Sequence, residues 1–414
     1  MNIFRMLKGN FPHICIGLLS AFCVRLLGII TIGEILIILY ATTRLLFQKF
    51  NIFGYNELIY KWTLALLCAI VFSGFNVDFS TNYMKGIMSI LLLYFSFQYF
   101  AYLLSRGEKY SLIAFLWGYC ISNILVNFFF LSFSDLIIGE RALAIEEYQE
   151  EMYAYIYFPF AYLFNIILYS NYKKTLLLVN FAIALYFLFG GSRNSFLILM
   201  LTDIFLLFNY LYSGKLKYVN NKLLLKISFT LLISLYLLNQ GYSHLASNGY
   251  LGEGPQLKYE IQSAAKGGIA SSRSYFIRGL ITIAHHPFGA IGFQQYPNDS
   301  WEIRQEYAQI TNTEMRYSDP NCAAHSAMLD WWIYFGILTI PFWIFVIKQC
   351  LLACKSALTS KNAYSALTLV CSFRILWNAF FSPFSDRIMW GFQIIMVIYF
   401  LHLSKKEQHG QLFS

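Results

Sequence analysis

Charge is scarce in this 414-residue chain, with Asp, Glu, Lys and Arg making up 12% of it, about half the share found in soluble domains. Such a surface cannot face water in the ordinary way, which excludes a soluble enzyme and a disordered chain. A disulfide signal is also missing. Cys15, Cys23, Cys68, Cys120 and Cys371 sit in apolar runs, Cys350 and Cys354 flank one, and Cys322 alone lies in a long polar segment. Without a Cys-x-x-Cys or a Cys/His cluster, the chain has no zinc or redox motif. It shows no Walker A motif, dinucleotide fingerprint, protease motif, internal repeat or low-complexity tract. No cleavable signal peptide is evident: the apolar stretch after Arg5 and Lys8 flows into a second one without a small-residue cleavage site. The first helix is therefore expected to be an uncleaved anchor.

What is there is apolar. The hydrophobic share is 58%, the aromatic share 19% and the mean hydropathy +0.54. The runs are near-continuous and do not alternate, so a transmembrane β-barrel is disfavoured. The pattern predicts an all-α polytopic membrane protein with about twelve spans. They fall near Phe11–Ile29, Ile32–Phe47, Trp62–Phe75, Met84–Leu104, Ser111–Ser132, Tyr153–Leu168, Thr175–Gly190, Ser195–Tyr212, Leu223–Leu238, Ser326–Ile347, Ala363–Phe381 and Ile388–Leu403. Residues 1–238 then hold about nine spans and residues 326–414 about three. Residues 239–325 form one large outer loop. The 40 Phe and 31 Tyr exceed what interfacial belts need and read as lipid-facing or packing residues.

The formal net charge is +9. With both termini cytoplasmic, Arg5, Lys8, Arg44, Lys49, Lys61, Arg106, Lys109, Lys173, Lys174, Lys215, Lys217, Lys222, Lys348, Lys355, Lys361, Lys405 and Lys406 fall on the inner side, against few in the short outer loops. The basic excess is thus topological, and nucleic-acid binding drops out. Arg25 and Glu34 are expected to pair across the first helical hairpin.

Three segments could carry chemistry. Gly190-Gly191-Ser192-Arg193-Asn194-Ser195 turns tightly between two spans. Arg193 offers a fixed fork of donors suited to a phosphate or diphosphate; the simpler alternative is a loop arginine snorkelling to headgroups. Ser271–Gly292, inside the outer loop, contains Arg273, Arg278 and His285-His286-Pro287-Phe288-Gly289. Phe276, Leu280 and Ile283 recur at helical spacing and Pro287 ends the run, so an amphipathic helix on the outer leaflet is expected. Its alternative role is headgroup binding without chemistry. Arg273 and Arg278 stand roughly 140° apart round such a helix and do not easily share one ligand. His325 stands where the loop re-enters the membrane, placed to take a proton from a sugar hydroxyl; an interfacial histidine at a helix start is the plain alternative. Arg374, inside a span, needs a partner, and Ser385-Asp386-Arg387 forms the last outer loop.

Taken together, these segments resemble the O-antigen polymerase/ligase family, bacterial enzymes that handle polyisoprenoid-linked O-polysaccharide. The match rests on the Gly-Ser-Arg turn and a loop Ser-Arg followed by His-Pro-x-Gly-x-x-Gly. It is completed by His325, four residues before Leu329 and eleven before Gly336. It covers roughly residues 190–336 by motif and the whole chain by hydropathy. The resemblance implies an inner-membrane glycosyltransferase, similar in fold to other polyprenyl-phosphate-dependent ones and working without a metal or cofactor. It implies Arg193, Arg273 and His325 in one periplasmic cavity; Ser192, Arg278, Arg374 and Arg387 are the further candidate substrate contacts. The implied partners are an undecaprenyl-diphosphate-linked oligosaccharide, the bilayer, and a chain-length regulator and flippase of the same pathway. Ser326 departs from the Asn that many members carry after the histidine. A polymerase is expected; a ligase acting on lipid A–core and a lipid-linked oligosaccharide flippase are the alternatives.

Overall fold

A computed structural model describes residues 3–20, 22–25, 29–47, 81–105, 109–133, 149–169, 172–189, 192–212, 240–252, 274–289, 301–311, 326–360, 362–382 and 386–408, with single positions between 226 and 260. Almost all of these residues are helical. The order is α1 (Ile3–Leu19), a short antiparallel hairpin β1 (Cys23–Arg25) and β2 (Ile29–Thr31), α2 (Ile32–Phe47), α3 (Thr81–Ser105), α4 (Lys109–Phe133), α5 (Gln149–Leu168), α6 (Lys173–Phe189) and α7 (Arg193–Tyr212). Then come α8 (Ser274–His285), α9 (Trp301–Thr311), α10 (Ala327–Phe335), a single 3-10 turn (Ile337–Thr339), α11 (Ile340–Ala357), α12 (Ser365–Phe381) and α13 (Arg387–Gln408).

Four stretches among the described residues are long and apolar enough to cross a membrane: Ile87–Leu104, Asn194–Leu211, Ile337–Ala357 and Arg387–Lys406. Shorter apolar helices lie at Asn10–Leu19, Ile32–Thr43, Tyr157–Leu168 and Ser365–Phe381. The chain is an all-α membrane protein. The expected span near Trp62–Phe75 lies outside the described residues, and the one near Leu223–Leu238 almost entirely so.

Helix boundaries follow from local chemistry. Thr31 and Glu34 form a reciprocal capping box at the start of α2: the Thr31 N–H donates to Glu34 Oε2 at 2.8 Å and the Glu34 N–H donates to Thr31 Oγ1 at 3.1 Å. Asp386 caps α13 by accepting from the Met389 N–H at 3.0 Å. The expected single span Ser326–Ile347 is divided. Gly336, at φ +82°, ends α10, and Pro341 opens α11. The chain folds back at this elbow, so that Trp331 stacks on Phe342 with centroids 5.5 Å apart and meets Trp343 at 5.2 Å. The crossing segment is therefore Ile337–Ala357, and α10 packs across the end of the bundle.

Small residues let helices touch backbone to backbone. α1 and α4 run side by side through Gly17 and Gly118. A Cβ on Gly17 would stand 2.2 Å from Phe115 O, and one on Gly118 would stand 2.2 Å from Ile14 O. α13 is the central helix, packed against α3, α11 and α12. Gly391 meets Ser96 there, and Phe392 packs edge-on against Tyr162.

These contacts sort the helix ends. Asn209, late in α7, donates to Ala357 O and Ser360 O at the α11–α12 connection, and Tyr169 joins it from the end of α5. The opposite end collects the start of α2, the start of α7, all of α10, the end of α12 and the start of α13.

Candidate functional site

At that second end the start of α10 is locked to the end of α12. Ser326 Oγ donates to Ala379 O at 2.7 Å and accepts from the Leu329 N–H at 3.3 Å, while the Ala327 N–H donates to Ser382 O at 2.8 Å. Serine suits this place: it caps α10 and ties it to α12 with one hydroxyl.

α8 lies on α10 through Ile283, Leu329 and Ile333, with Phe276, Met328 and Trp332 around them. Their C-terminal ends meet. The Trp332 indole N–H donates to Pro287 O at 2.9 Å and the Ile337 N–H donates to the same oxygen at 3.2 Å. Gly289 and Gly336, both with positive φ, close on each other: a Cβ on Gly336 would stand 2.3 Å from Phe288 O, and one on Gly289 would stand 2.9 Å from Gly336 N. Only glycine fits this seat. It explains why a His-Pro-x-Gly turn and a glycine far along the chain occur together. The two helices run in the same sense, so their N-terminal ends point the same way.

Those ends follow the expected reactive residues directly. Arg273 precedes α8, His325 stands two residues before α10, and Arg193 is the first residue of α7. Arg273, His325 and the Arg193 side chain lie outside the described residues. Beside Arg193, the Ser192 N–H donates to Phe187 O at 2.9 Å and its hydroxyl to Ser195 Oγ at 3.1 Å.

The three other arginines expected at the site are described. Arg278 is 4% exposed on the inner face of α8, with its guanidinium 4.8 Å above the Tyr275 ring. Arg374, in α12, lies 4.5 Å above the Phe158 ring, and Phe158 stacks on Phe187, which accepts from Ser192. That chain of contacts links Arg374 to the Ser192 turn. Arg387 gives its fork to Glu34, with Nε to Oε1 at 2.6 Å and Nη2 to Oε2 at 3.1 Å, and Nη1 to Ser89 Oγ at 3.1 Å. The side chain of Arg25, the partner expected for Glu34, lies outside the described residues; the described cation at both carboxylate oxygens is Arg387. Arg387 thus closes the end of the bundle, tying α13 to α2 and α3.

Next to it Tyr119 donates to Asp386 Oδ2. Burial pushes the Asp386 carboxyl above its ordinary value, against the hydrogen bonds from Tyr119 and the Met389 N–H. Away from this end, Asn165, Asn180 and Asp203 bridge α5, α6 and α7. Asn165 Nδ2 donates to Asn180 Oδ1 at 2.9 Å and Asn180 Nδ2 donates to Asp203 Oδ1 at 2.9 Å. The gap bounded by Val346, Cys350, Ile375 and Ile398 lies between α11, α12 and α13, apart from the arginines. His285 meets Glu306 of α9 at 2.6 Å. Among the described residues no group of three His, Cys, Asp or Glu is placed to hold a metal ion.

The chain matches no protein-family model, no curated protein and no solved structure. Sequence reasoning missed the Glu34–Arg387 and Tyr119–Asp386 pairs. An Asp just ahead of an apolar run is a readable cap, but its partner, 267 positions away, leaves no local signal.

Proposed function

We propose that this chain is a membrane glycosyltransferase of the O-antigen polymerase type, joining undecaprenyl-diphosphate-linked oligosaccharide units at the periplasmic face of the inner membrane. The observation that carries it is the seating of the Pro287–Gly289 turn on Gly336, which aligns α8 with α10 at the end of the bundle where α7 begins. On this reading Arg193, Arg273 and His325, which stand at or just before the starts of α7, α8 and α10 in the chain, serve one cavity at that end. Supporting it, Arg374 is linked through Phe158 and Phe187 to the Ser192 turn.

The chemistry needs a cationic seat and a base. The acceptor hydroxyl attacks the anomeric carbon of the donor sugar. The bond from that carbon to the diphosphate oxygen breaks, and the hydroxyl proton passes to His325. The lipid diphosphate leaves already charged, so it calls for neutralisation rather than protonation. Arg193 and Arg273 supply that with charge-assisted hydrogen bonds in a low-dielectric site. Each such group is worth about 10²–10⁴ in rate.

The test is the lipopolysaccharide ladder of a deletion strain carrying the gene or its variants. Arg193→Ala, Arg273→Ala and His325→Ala are expected to insert normally and to leave core with a single repeat unit. Long chains in all three variants reject the assignment. Bare core, with polymer left on the lipid carrier, identifies a ligase instead. Normal ladders in the deletion strain exclude both.

A further inference from the structure

α8 turns two unlike faces outward and inward. Ile277, Leu280 and Ala284 fall within about 60° of one another round the helix, and Phe288 follows in the turn. This stripe is apolar yet uncovered: Leu280 is 46% and Phe288 80% exposed. Arg278 lies about 160° from Leu280 and is buried against Tyr275. Phe288 O and Pro287 O touch the backbone of Gly336 and Ile337. Beyond this contact Leu338 is 57% exposed, Ile344 61% and Leu351 57%, the last two a near-whole number of turns apart on α11. Water would be a costly cover for these side chains. Ile344 and Leu351 belong to the stretch Ile337–Ala357, which is long and apolar enough to cross a membrane.

We propose that α8 and the Phe288 turn form a wedge immersed in one leaflet of the bilayer, with lipid acyl chains covering Leu280, Ala284 and Phe288. The occupant is bilayer lipid, because the Phe288 turn is seated on the first residues of the apolar stretch Ile337–Ala357. The Gly289–Gly336 contact fixes the wedge to the elbow that starts α11, so its depth is set by the crossing helix. Its inner face then holds Arg278 at the level of the headgroups. The proposal needs only the membrane reading of α11, and is independent of the glycosyltransferase reading.

The test places the photo-cross-linker p-benzoylphenylalanine at Leu280, Phe288, Ile344 or Gln305 of the full chain in native membranes. Irradiated protein is then analysed by gel and by mass spectrometry. Gln305 lies on the exposed polar side of α9. Phospholipid adducts on monomeric protein are expected at Leu280 and Phe288, at yields like that at Ile344, and none at Gln305. A dimer band from Leu280 or Phe288 makes the strip a contact between copies and overturns the proposal. So does the absence of lipid adducts at both positions, whatever Ile344 shows. The ladder assay of Arg273→Ala is a separate readout, so failure of the wedge and failure of the enzyme reading are told apart.

Discussion

Asp386 and Arg387 are neighbours with different work. Arg387 is bidentate to Glu34, which is 3% exposed; removing one partner of such a pair costs about 3–5 kcal/mol because the other charge stays buried. Asp386 caps α13 and accepts from Tyr119 in a site whose burial raises its pKa. A carboxyl with a folded pKa above the unfolded value of about 4 binds its proton more tightly when folded. Stability therefore falls as pH rises from the unfolded value through the folded one. Asp386→Asn keeps one oxygen to cap α13, offers Tyr119 an amide NH2 to which its hydroxyl can turn as acceptor, and cannot ionise. Melting temperatures of detergent-solubilised protein should decline across that window in the parent and decline less in Asp386→Asn. Equal slopes would show that burial does not raise the pKa of this carboxyl. The pairing of Glu34 with Arg387 was not legible in the chain, where Arg25 is the nearer cation. Electrostatic partners are selected by distance in space, and the hairpin between α1 and α2 meets α13 only after the bundle closes.

Among the elements, α1 and α4 depend most on the absence of a side chain. Gly17 and Gly118 allow an approach closer than any Cβ permits. Gly118→Ala is expected to cost about 1–3 kcal/mol through overpacking and to reduce the monodisperse peak in fluorescence size-exclusion chromatography. Gly241→Ala, where a Cβ meets nothing within 4 Å, should leave that peak unchanged. A Gly118→Ala profile like the parent's would mean that α1 moves away freely. The existence and type of most helices were legible, because unbroken apolar runs of this length have few other solutions in lipid. The elbow at Gly336 was not. Ser326 to Ile347 reads as one apolar run, and only the packing of Trp331 on Phe342 and Trp343 shows the chain doubling back.

For the whole molecule, the contacts at Asn209, Ala357 and Ser360 gather one set of helix ends, and those at Ser326, Ser382 and Arg387 gather the other. The proposed function requires the second set to face outward, the orientation expected when most lysines and arginines lie on the cytoplasmic side. Asn194 and Tyr172 are exposed, one at the start of α7 and the other just before α6. With native cysteines replaced, Asn194→Cys should react with a membrane-impermeant maleimide in intact cells once the outer membrane is opened. Tyr172→Cys should react only after the inner membrane is broken. The reverse pattern would turn the site to the cytoplasm and end the proposed function. Composition alone made this a helical membrane chain, since low charge and long apolar runs leave the backbone no other way to satisfy its hydrogen bonds in lipid. The motif glycines were also visible, but not their purpose. That Gly289 and Gly336 are one seat, that Glu34 belongs to Arg387 and that Arg278 faces inward were decided by folding. Each depends on which surfaces of distant helices meet, and local periodicity does not encode that.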